Sequence, residues 1–324
     1  MASIKFNNIF IKDWSSIVGP KEAISKLKKI DEKMSDYYYG EKTFEKAEAK
    51  MQRVTITNLL KKNNLKEKDV DLLIGGDLLD QITATSFACK EYPISLLGIY
   101  SACATFTEGL IISGMFLQDK HIKKTINITS GHNLGAEKQF RYPIEYGSPK
   151  PHTATFTTTA AISTLIKKEN GKIKVESATI GKATDMGVTD ANNMGAVMAP
   201  AAARTLYEHL KDLKRELDYY DLILTGDLGS IGSDIFKEYC SMNYGLKLKK
   251  HLDSGCELYL KNQETYAGGS GPACLPLVLF NKILCSNKYK KILIIGTGAL
   301  HSKTFVNQKN SIPAIAHAVS LEVL

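Results

Sequence analysis

The sequence predicts an α/β protein made of two duplicated halves, each with a mixed, mostly parallel sheet. Short apolar runs end at glycine and are followed by amphipathic helical patterns, which is typical of a parallel sheet covered by helices on both faces. Two stretches of the second half also resemble two stretches of the first half, in the same order. Two ordered matches indicate an internal duplication better than a single match would.

Apolar runs and amphipathic patterns alternate along both halves. In the first half we predict helices over 41–64, 78–91 and 103–117, and strands over 69–77, 94–100 and 123–131. A Pro- and Tyr-rich loop from 138 then leads into a Thr- and Ala-rich strand that ends at 166. In the second half we predict helices over 203–213, 233–241 and 271–286, and strands over 219–227 and 290–298.

The duplication is visible in two pairs of segments. "DVDLLIGGDLL" (69–79) resembles "YYDLILTGDLG" (219–229), and "KKTINITSGHN" (123–133) resembles "KKILIIGTGAL" (290–300). We therefore divide the chain into an N-terminal half, 1–170, which carries Cys103, and a C-terminal half, 171–324. Because apolar pattern continues across the join, we expect the halves to form a single compact unit.

Composition narrows the class of protein. A net charge of +8 in 324 residues favours anionic partners, but the lysines are spread in short runs and no nucleic-acid motif is visible. We therefore expect no nucleic-acid partner. The six cysteines form no C-x-x-C pair, which argues against a zinc or redox site. No apolar run is long enough to predict a transmembrane segment or a signal peptide, so we expect a reducing, cytosol-facing location.

Candidate ligand-binding residues lie where the predicted strands end. Cys103 in "SACATFTEG" stands at a helix start, where the helix dipole and free N–H groups lower a thiol pKa. An inert buried cysteine is an equally good interpretation of its position. Asp77 and its counterpart Asp227 each follow a glycine at a strand end, where they would either contact a ligand or stabilise the turn.

Further candidates follow the same rule, that ligands bind beyond the carboxyl ends of the strands in open α/β sheets. His132 would carry a proton or only bond within its loop. Arg141 in "KQFRYP" would hold a carboxylate through two hydrogen bonds, unless it is ordinary surface charge. Gly268 and Gly269 would offer backbone N–H groups to an anion.

The duplicated halves and "SACA" at a helix start resemble the thiolase and ketoacyl-synthase fold, which implies a layered α/β/α/β/α arrangement. More narrowly, several stretches resemble the stage V sporulation protein AD family of spore-forming Firmicutes. The specific ones are "GHNLGAEKQFRYPIEYG" (131–147), "ATIGKATDMGVTDANNMGAVMAPAAA" (178–203), "LTGDLGSIG" (224–232) and "SIPAIAHAVSLE" (311–322). The resemblance covers nearly the whole chain.

The resemblance implies a function in sporulation. It implies a protein without a transmembrane segment that binds dipicolinic acid, or its calcium chelate, and serves the channel that takes it into the forespore. Its partners would be the other membrane-channel subunits of the stage V A apparatus. Through them it would lie peripherally on the cytoplasmic face of the spore inner membrane. Related folds also pair as dimers, so we expect a homodimer, with segment 153–166 as the pairing strand.

The resemblance also implies that Cys103 is not catalytic. Ketoacyl synthases of the initiating type pair their cysteine with a histidine and an asparagine, but "TGDLG" and "AGGSGPA" stand at those positions here. Without a proton carrier and an oxyanion donor, acyl transfer loses much of its transition-state stabilisation. We expect no catalytic residue and no cofactor, with Ca²⁺ entering only with the ligand. The alternative is an active Cys-dependent ketoacyl synthase or thiolase-type acyltransferase.

Overall fold

The computed structural model describes residues 1–140 and 150–324. Its strands are β1 (Ala2–Lys5), β2 (Ile9–Val18), β3 (Glu32–Lys33), β4 (Leu72–Gly76), β5 (Ser95–Gly98), β6 (Lys124–Gly131), β7 (Phe156–Thr157), β8 (Ala160–Lys168), β9 (Ile173–Ile180), β10 (Leu222–Thr225), β11 (His251–Asp253), β12 (Gly269–Ser270), β13 (Lys291–Ala299) and β14 (Ala314–Val323). Its α-helices are α1 (Phe44–Lys62), α2 (Thr83–Cys89), α3 (Thr105–Phe116), α4 (Asn133–Phe140), α5 (Met194–Leu213), α6 (Gly229–Tyr244), α7 (Ser254–Leu258), α8 (Cys274–Val278) and α9 (Lys303–Asn307).

The strands form two sets of five with corresponding orders. Across the sheet the order is β11-β10-β13-β14-β9-β2-β8-β6-β4-β5, so β2-β8-β6-β4-β5 corresponds to β9-β14-β13-β10-β11. In each set four strands run parallel to one another, and one strand, β8 in the first set and β14 in the second, runs antiparallel to them. The predicted α/β class with a mixed, mostly parallel sheet is confirmed.

Helices cover both sets of strands and also separate them. Helix α3 packs against β4 and β6 of the first set and against β13 and β14 of the second. Its Phe106 and Leu110 share one apolar core with Ile162 of β8 and Ile294 of β13. Helix α1 packs on the outer side of the first set, and α5 packs with α6 on the outer side of the second. These contacts produce the predicted layered α/β/α/β/α arrangement.

Strand β8 is not the pairing strand of a dimer, contrary to the prediction for segment 153–166. It is hydrogen-bonded to β2 along one edge and to β6 along the other, so it has no free edge. The sheet ends instead at β5 and at β11, which pair only with β4 and with β10, respectively, among the described strands. Leu96 and Leu97 of β5 are exposed to solvent.

The helix boundaries follow the local sequence. Helix α1 begins after Thr43, whose hydroxyl accepts a hydrogen bond from the Lys46 N–H at 3.3 Å. Helix α5 begins nine residues before the predicted 203, with the Asn193 side chain at its N-cap. In the part of the chain that the structure describes, no helix is both long and apolar enough to cross a bilayer.

Candidate functional site

A cavity of about 1100 Å³ lies where the parallel strands of both halves end. This size is typical of a ligand-binding site rather than of a packing defect. Each half contributes to the wall. Residues that line it include Lys21, Tyr100, Cys103, Asn133, Glu137, Phe140, Lys150, Phe156, Asp227, Glu264, Tyr266, Ser270 and His301.

Cys103 lines the cavity just before α3, but its thiol is not activated. The Asp227 carboxyl group lines the same wall and is the charged neighbour that acts on the thiol. Burial raises the pKa of Cys103 well above its ordinary value, and the negative charge of Asp227 raises it further. The backbone N–H of Gly271 acts in the opposite direction without compensating. The expectation that the helix start lowers this pKa is therefore wrong, because burial and a carboxylate neighbour outweigh the dipole.

Asp227 lies in the cavity wall as predicted, although its side chain is almost fully buried. One carboxyl oxygen accepts a hydrogen bond from the Thr297 hydroxyl at 2.8 Å, and the other accepts one from the Gly271 N–H at 2.9 Å. Burial raises the pKa of Asp227 to about 7, and the charge of Asp253 adds to the increase. Asp227 is therefore close to half protonated at neutral pH.

Asp253 positions the turn that carries Asp227, and sequence reasoning missed it. Its carboxylate accepts hydrogen bonds from the N–H groups of Leu228 and Gly229, each at 3.0 Å, and from the Thr225 hydroxyl at 2.7 Å. Gly229 has a φ of +67°, which a residue with a side chain rarely adopts. The signal in the sequence was "HLDSG" (251–255), an Asp followed by Ser-Gly.

Asp77 is a turn-stabilising residue outside the cavity wall, so its predicted contact with a ligand is corrected. It is fully buried and accepts hydrogen bonds from the Leu79 N–H at 2.9 Å and the Thr85 N–H at 2.8 Å. The Thr85 hydroxyl donates a third at 2.7 Å. Of the two predicted roles, the structure supports stabilisation of the turn, because both carboxylate oxygens accept hydrogen bonds from the turn and from α2.

His132 also lies behind the wall, with both ring nitrogens engaged. Nε2 lies 2.8 Å from the carbonyl oxygen of Tyr37, and Nδ1 accepts a hydrogen bond from the Gly135 N–H at 3.4 Å. The ring packs against Phe44, and burial lowers the pKa of His132, so the imidazole is neutral. The predicted contact between His132 and a ligand is therefore also corrected. Of the two predicted roles, hydrogen bonding within the local structure is the one that His132 has.

Gly268 and Gly269 shape the site through the backbone. A Cβ on Gly268 would lie 2.7 Å from the Gly255 carbonyl oxygen, and its N–H already donates to the Thr265 carbonyl oxygen at 2.9 Å. Gly269 pairs with Phe156, which brings Ser270 into the wall. Arg141, the remaining predicted residue, lies outside the described residues.

Two lysines approach one aromatic ring in the wall, and sequence reasoning assigned neither of them to the site. Lys21 Nζ lies 4.3 Å from the ring centroid of Phe156, and Lys150 Nζ lies 5.8 Å from it. Lys150 also forms an ion pair with Glu137. Burial lowers the pKa of Lys21, which shows that its ammonium group is partly removed from solvent. Lys21 is thus a cationic group facing a cavity beside an aromatic surface.

An amide and an imidazole also line the cavity, at Asn133 and His301. Nδ2 of Asn133 and Nδ1 of His301 are buried without a hydrogen-bond partner among the described residues. No hydrogen bond connects either side chain to Cys103 in the described part of the chain. Neither side chain is therefore hydrogen-bonded to the sulfur in the way that the base of a nucleophile is.

The described residues contain no group of three or more His, Cys, Asp or Glu side chains arranged to hold a metal ion. The cavity instead combines cations, a protonatable carboxyl group and aromatic rings. Such a set can bind a small aromatic acid, because the ammonium groups pair with carboxylates and the rings contact the aromatic face.

Several solved structures share this fold. An OleA variant from Xanthomonas campestris superposes with a TM-score of 0.64 at 13% identity, over 98% of this chain and 99% of that one. The 3-oxoacyl-[acyl-carrier-protein] synthase III of Aquifex aeolicus gives 0.54 at 12% identity, over 99% of both chains. These likenesses confirm the predicted thiolase-like fold, and at such low identity they say nothing further about activity.

The sequence has a much closer relative among sporulation proteins. The stage V sporulation protein AD of Bacillus subtilis (strain 168) is 40% identical over 318 residues, which is 97% of this chain and 94% of that protein. The sequence model of the stage V sporulation protein AD (SpoVAD) family matches residues 2–322. This chain belongs to the stage V sporulation protein AD family and carries the family's sequence on a thiolase-like fold.

Proposed function

We propose that this protein binds dipicolinate, free or as its calcium chelate, in the Cys103 cavity and does not catalyse a reaction there. The observation that carries the proposal is the pairing of Cys103 with the Asp227 carboxyl group instead of with an imidazole. A cysteine nucleophile acts as the thiolate, and this thiol is held protonated. The cavity keeps the space of a condensing enzyme while its cysteine is inactive.

The wall offers complementary groups to a planar aromatic dicarboxylate. One carboxylate would pair with Lys21, whose ammonium group lies beside the Phe156 ring. The other would accept a hydrogen bond from the protonated form of Asp227 or from Ser270. The aromatic rings of the wall would contact the flat face of the ligand. Each contact lies within one cavity that both halves enclose.

Isothermal titration calorimetry with dipicolinate tests this proposal. We expect Lys21→Ala and Cys103→Ala to weaken binding at least tenfold, because both side chains face the cavity. The matched control is Lys182→Ala, which removes an exposed lysine that is not part of the wall. Undiminished affinity in both cavity variants, or no heat of binding with the wild type, would reject the cavity as the dipicolinate site.

The calcium question is settled by a second titration. In this proposal Ca²⁺ enters the cavity only as part of the dipicolinate chelate, since the described residues contain no cluster that would hold the ion by itself. Dipicolinate is titrated with Ca²⁺ present and with chelator present, and Ca²⁺ is also titrated alone. Tighter binding with Ca²⁺ identifies the chelate as the ligand, and equal affinity identifies the free acid.

The competing function is acyl transfer by Cys103, which the fold of the structural relatives favours. Incubation with acetyl-CoA and longer acyl-CoA thioesters, followed by intact-mass measurement, distinguishes the two. We expect no adduct on the wild-type protein and none on Cys103→Ala. An acyl adduct that appears on the wild type and is absent from the variant would establish the enzyme.

We place the protein with the membrane-channel subunits of the stage V A apparatus, on the cytoplasmic face of the spore inner membrane. Membership of a sporulation family supports this placement. Copurification from sporulating cells under mild detergent, using wild type and a cavity variant, tests it. We expect both proteins to retain the subunits, and the cavity variant alone to lose dipicolinate uptake. Failure of the wild type to copurify with any membrane subunit would contradict the placement.

A further inference from the structure

The end of the sheet opposite the cavity collects exposed lysines. The parallel strands begin at this end, and the helices that precede them finish there. One row of paired residues crosses both halves at this level: Lys124, Lys167, Phe10, Lys174, Glu322 and Lys291. The connections into the parallel strands of both halves therefore lie along a common edge, roughly ten strand spacings of ~5 Å wide.

Four of these connections are rich in exposed lysines. The segment 61–71 before β4 exposes Lys66 and Lys68, and the segment 117–123 before β6 exposes Lys120 and Lys123. The segment 245–250 before β11 exposes Lys247, Lys249 and Lys250, and 287–290 before β13 exposes Lys288 and Lys290. We call these four segments the basic face.

Acidic side chains do not neutralise the basic face. Glu67 and Asp119 are the exposed acidic residues of its four segments, and 245–250 and 287–290 contain none. The connection into β10, which lies between β11 and β13, is mixed in charge, because Asp212, Glu216 and Asp218 are exposed there together with Lys211 and Lys214. The positive charge is therefore continuous around β4 with β6, and at the other end of this edge it is concentrated in the segments before β11 and β13, on either side of the mixed connection.

Exposed apolar side chains stand next to these lysines. Met115 and Phe116 at the end of α3 are 50% and 42% exposed, directly before Lys120 and Lys123. Met242, near the end of α6, is 76% exposed and precedes Lys247. A lysine at a helix C-terminus is explained by the helix dipole, but an exposed Met or Phe is not. Exposed lysines next to exposed apolar side chains are typical of surfaces that bind an anionic lipid interface.

We propose that the basic face binds directly to an anionic bilayer surface. Lysine ammonium groups would pair with lipid phosphates while Met115, Phe116 and Met242 enter the headgroup region. A broad edge rather than a groove favours a bilayer over a nucleic acid, and the interspersed apolar side chains favour it over a free phosphate. The cavity lies at the other end of the sheet, so a bound protein would keep its cavity mouth away from the lipid.

Vesicle cosedimentation with the full chain tests the basic face. Vesicles of phosphatidylcholine alone are compared with vesicles in which about 40% of the lipid is phosphatidylglycerol, so that only the second set has a negative surface potential. We expect binding to the anionic vesicles alone, weakened by salt. K120E/K123E and K247E/K249E should each reduce the partition coefficient about tenfold, and F116S should reduce binding that remains at high salt.

The matched control is K182E/K309E, which reverses two exposed lysines at the cavity end of the sheet. We expect it to bind vesicles like the wild type, and all variants to bind dipicolinate like the wild type. The proposal would be overturned if the wild type did not bind anionic vesicles. It would also be overturned if the control lost as much vesicle binding as the variants of the basic face. Duplex DNA that competes at equal phosphate concentration would instead identify a general polyanion surface and would also overturn it.

Discussion

The thiol of Cys103 and the carboxyl group of Asp227 line the same wall of the cavity, and the negative charge of Asp227 raises the pKa of the thiol. The two residues come from different halves of the chain, since Cys103 precedes α3 and Asp227 follows β10. A carboxylate beside a thiol raises the thiol pKa, whereas an imidazolium would lower it. The neighbour that the fold places beside Cys103 therefore favours the uncharged thiol over the thiolate.

Removing the charge of Asp227 should make Cys103 more reactive. In Asp227→Asn the burial remains, but the repulsion between carboxylate and thiolate is gone, so the pKa of Cys103 falls. We expect iodoacetamide to modify Cys103 about tenfold faster at pH 8, which corresponds to one pKa unit. Peptide mass mapping follows the rate, and Cys103→Ala assigns the signal. An unchanged rate would show that burial alone controls the thiol.

Stability should decrease as the pH rises from about 4 to 7. Burial raises the pKa of Asp227 and of Glu22 to about 7 in the folded protein, whereas unfolded carboxyl groups ionise near pH 4. Between these values the folded state binds more protons than the unfolded state, so stability falls with pH and levels off above 7.

Thermal unfolding at pH 5, 6, 7 and 8 measures this dependence. Asp227→Asn and Glu22→Gln each remove one ionising group, so each should flatten the decrease by an amount on the order of a few kcal/mol. Lys182→Ala should keep the wild-type slope. A wild-type slope in both carboxyl variants would assign the dependence to other groups, such as the buried Glu48.

Dipicolinate binding should take up a proton. A ligand carboxylate placed beside Asp227 raises the pKa of this carboxyl group further, and Asp253 and Cys274, which also lie near it, add no positive charge. We expect affinity to fall between pH 6 and pH 8. Calorimetry in buffers of different ionisation enthalpy should give an uptake approaching one proton at pH 8, and Asp227→Asn should abolish it. Equal uptake by the variant would locate the proton elsewhere.

The fold was largely predictable from the sequence, and there are physical reasons why some strands were not predicted. The strands that end in glycine were visible because they are short, apolar and followed by helices. Strands β2 and β14 were missed, because their mixture of apolar and polar residues does not fit a simple buried run. Strand β5 was predicted, but its exposure was not, since position at the edge of a sheet depends on strand order and not on local sequence.

The site was predictable in location but not in detail. The strand-end rule brought Cys103 and Asp227 together correctly, because it depends only on topology. It did not distinguish Asp77, whose carboxylate turns back to Thr85, from Asp227, whose carboxylate faces the cavity. Lys21 was missed because it reaches the cavity from the N-terminal segment, through a contact with Phe156 that no local pattern encodes.

Asp77 and His132 should affect binding only through the structure of the wall. Asp77→Ala leaves the Leu79 and Thr85 N–H groups without their buried acceptor, so we expect a loss of about 3 kcal/mol in the free energy of unfolding. Asp77 holds the turn before α2, and Leu78 of this turn lines the cavity, so affinity for dipicolinate should fall as well.

Lys21→Ala is the contrasting variant, because Lys21 makes a cation–π contact and no described ion pair. It should lose affinity while its unfolding free energy changes by less than about 1 kcal/mol. Urea unfolding combined with calorimetry separates the two behaviours. His132→Ala should resemble Asp77→Ala, since its ring joins the Tyr37 carbonyl oxygen to the start of α4. If Asp77→Ala keeps its stability but loses affinity for dipicolinate, Asp77 contacts the ligand directly and the structural explanation is wrong.

We propose that the homodimer forms through β5. Its outer edge has no partner strand among the described residues, its Leu96 and Leu97 are exposed, and the neighbouring helix α2 carries the exposed Phe87. An apolar edge strand left free would invite aggregation, and pairing with a second copy removes it. Antiparallel pairing of two β5 strands would continue one sheet through both copies around a twofold axis.

Sedimentation equilibrium tests this arrangement. We expect the wild type to be a dimer and Leu97→Lys to be a monomer. In a Leu97→Lys dimer, two positively charged side chains would be buried close to each other at the twofold axis. The control is Met242→Lys, which changes an exposed apolar residue in α6 of the other half of the chain. The control should remain dimeric, and both variants should keep the wild-type circular dichroism spectrum. A Leu97→Lys dimer as tight as the wild type would place the interface at a different surface.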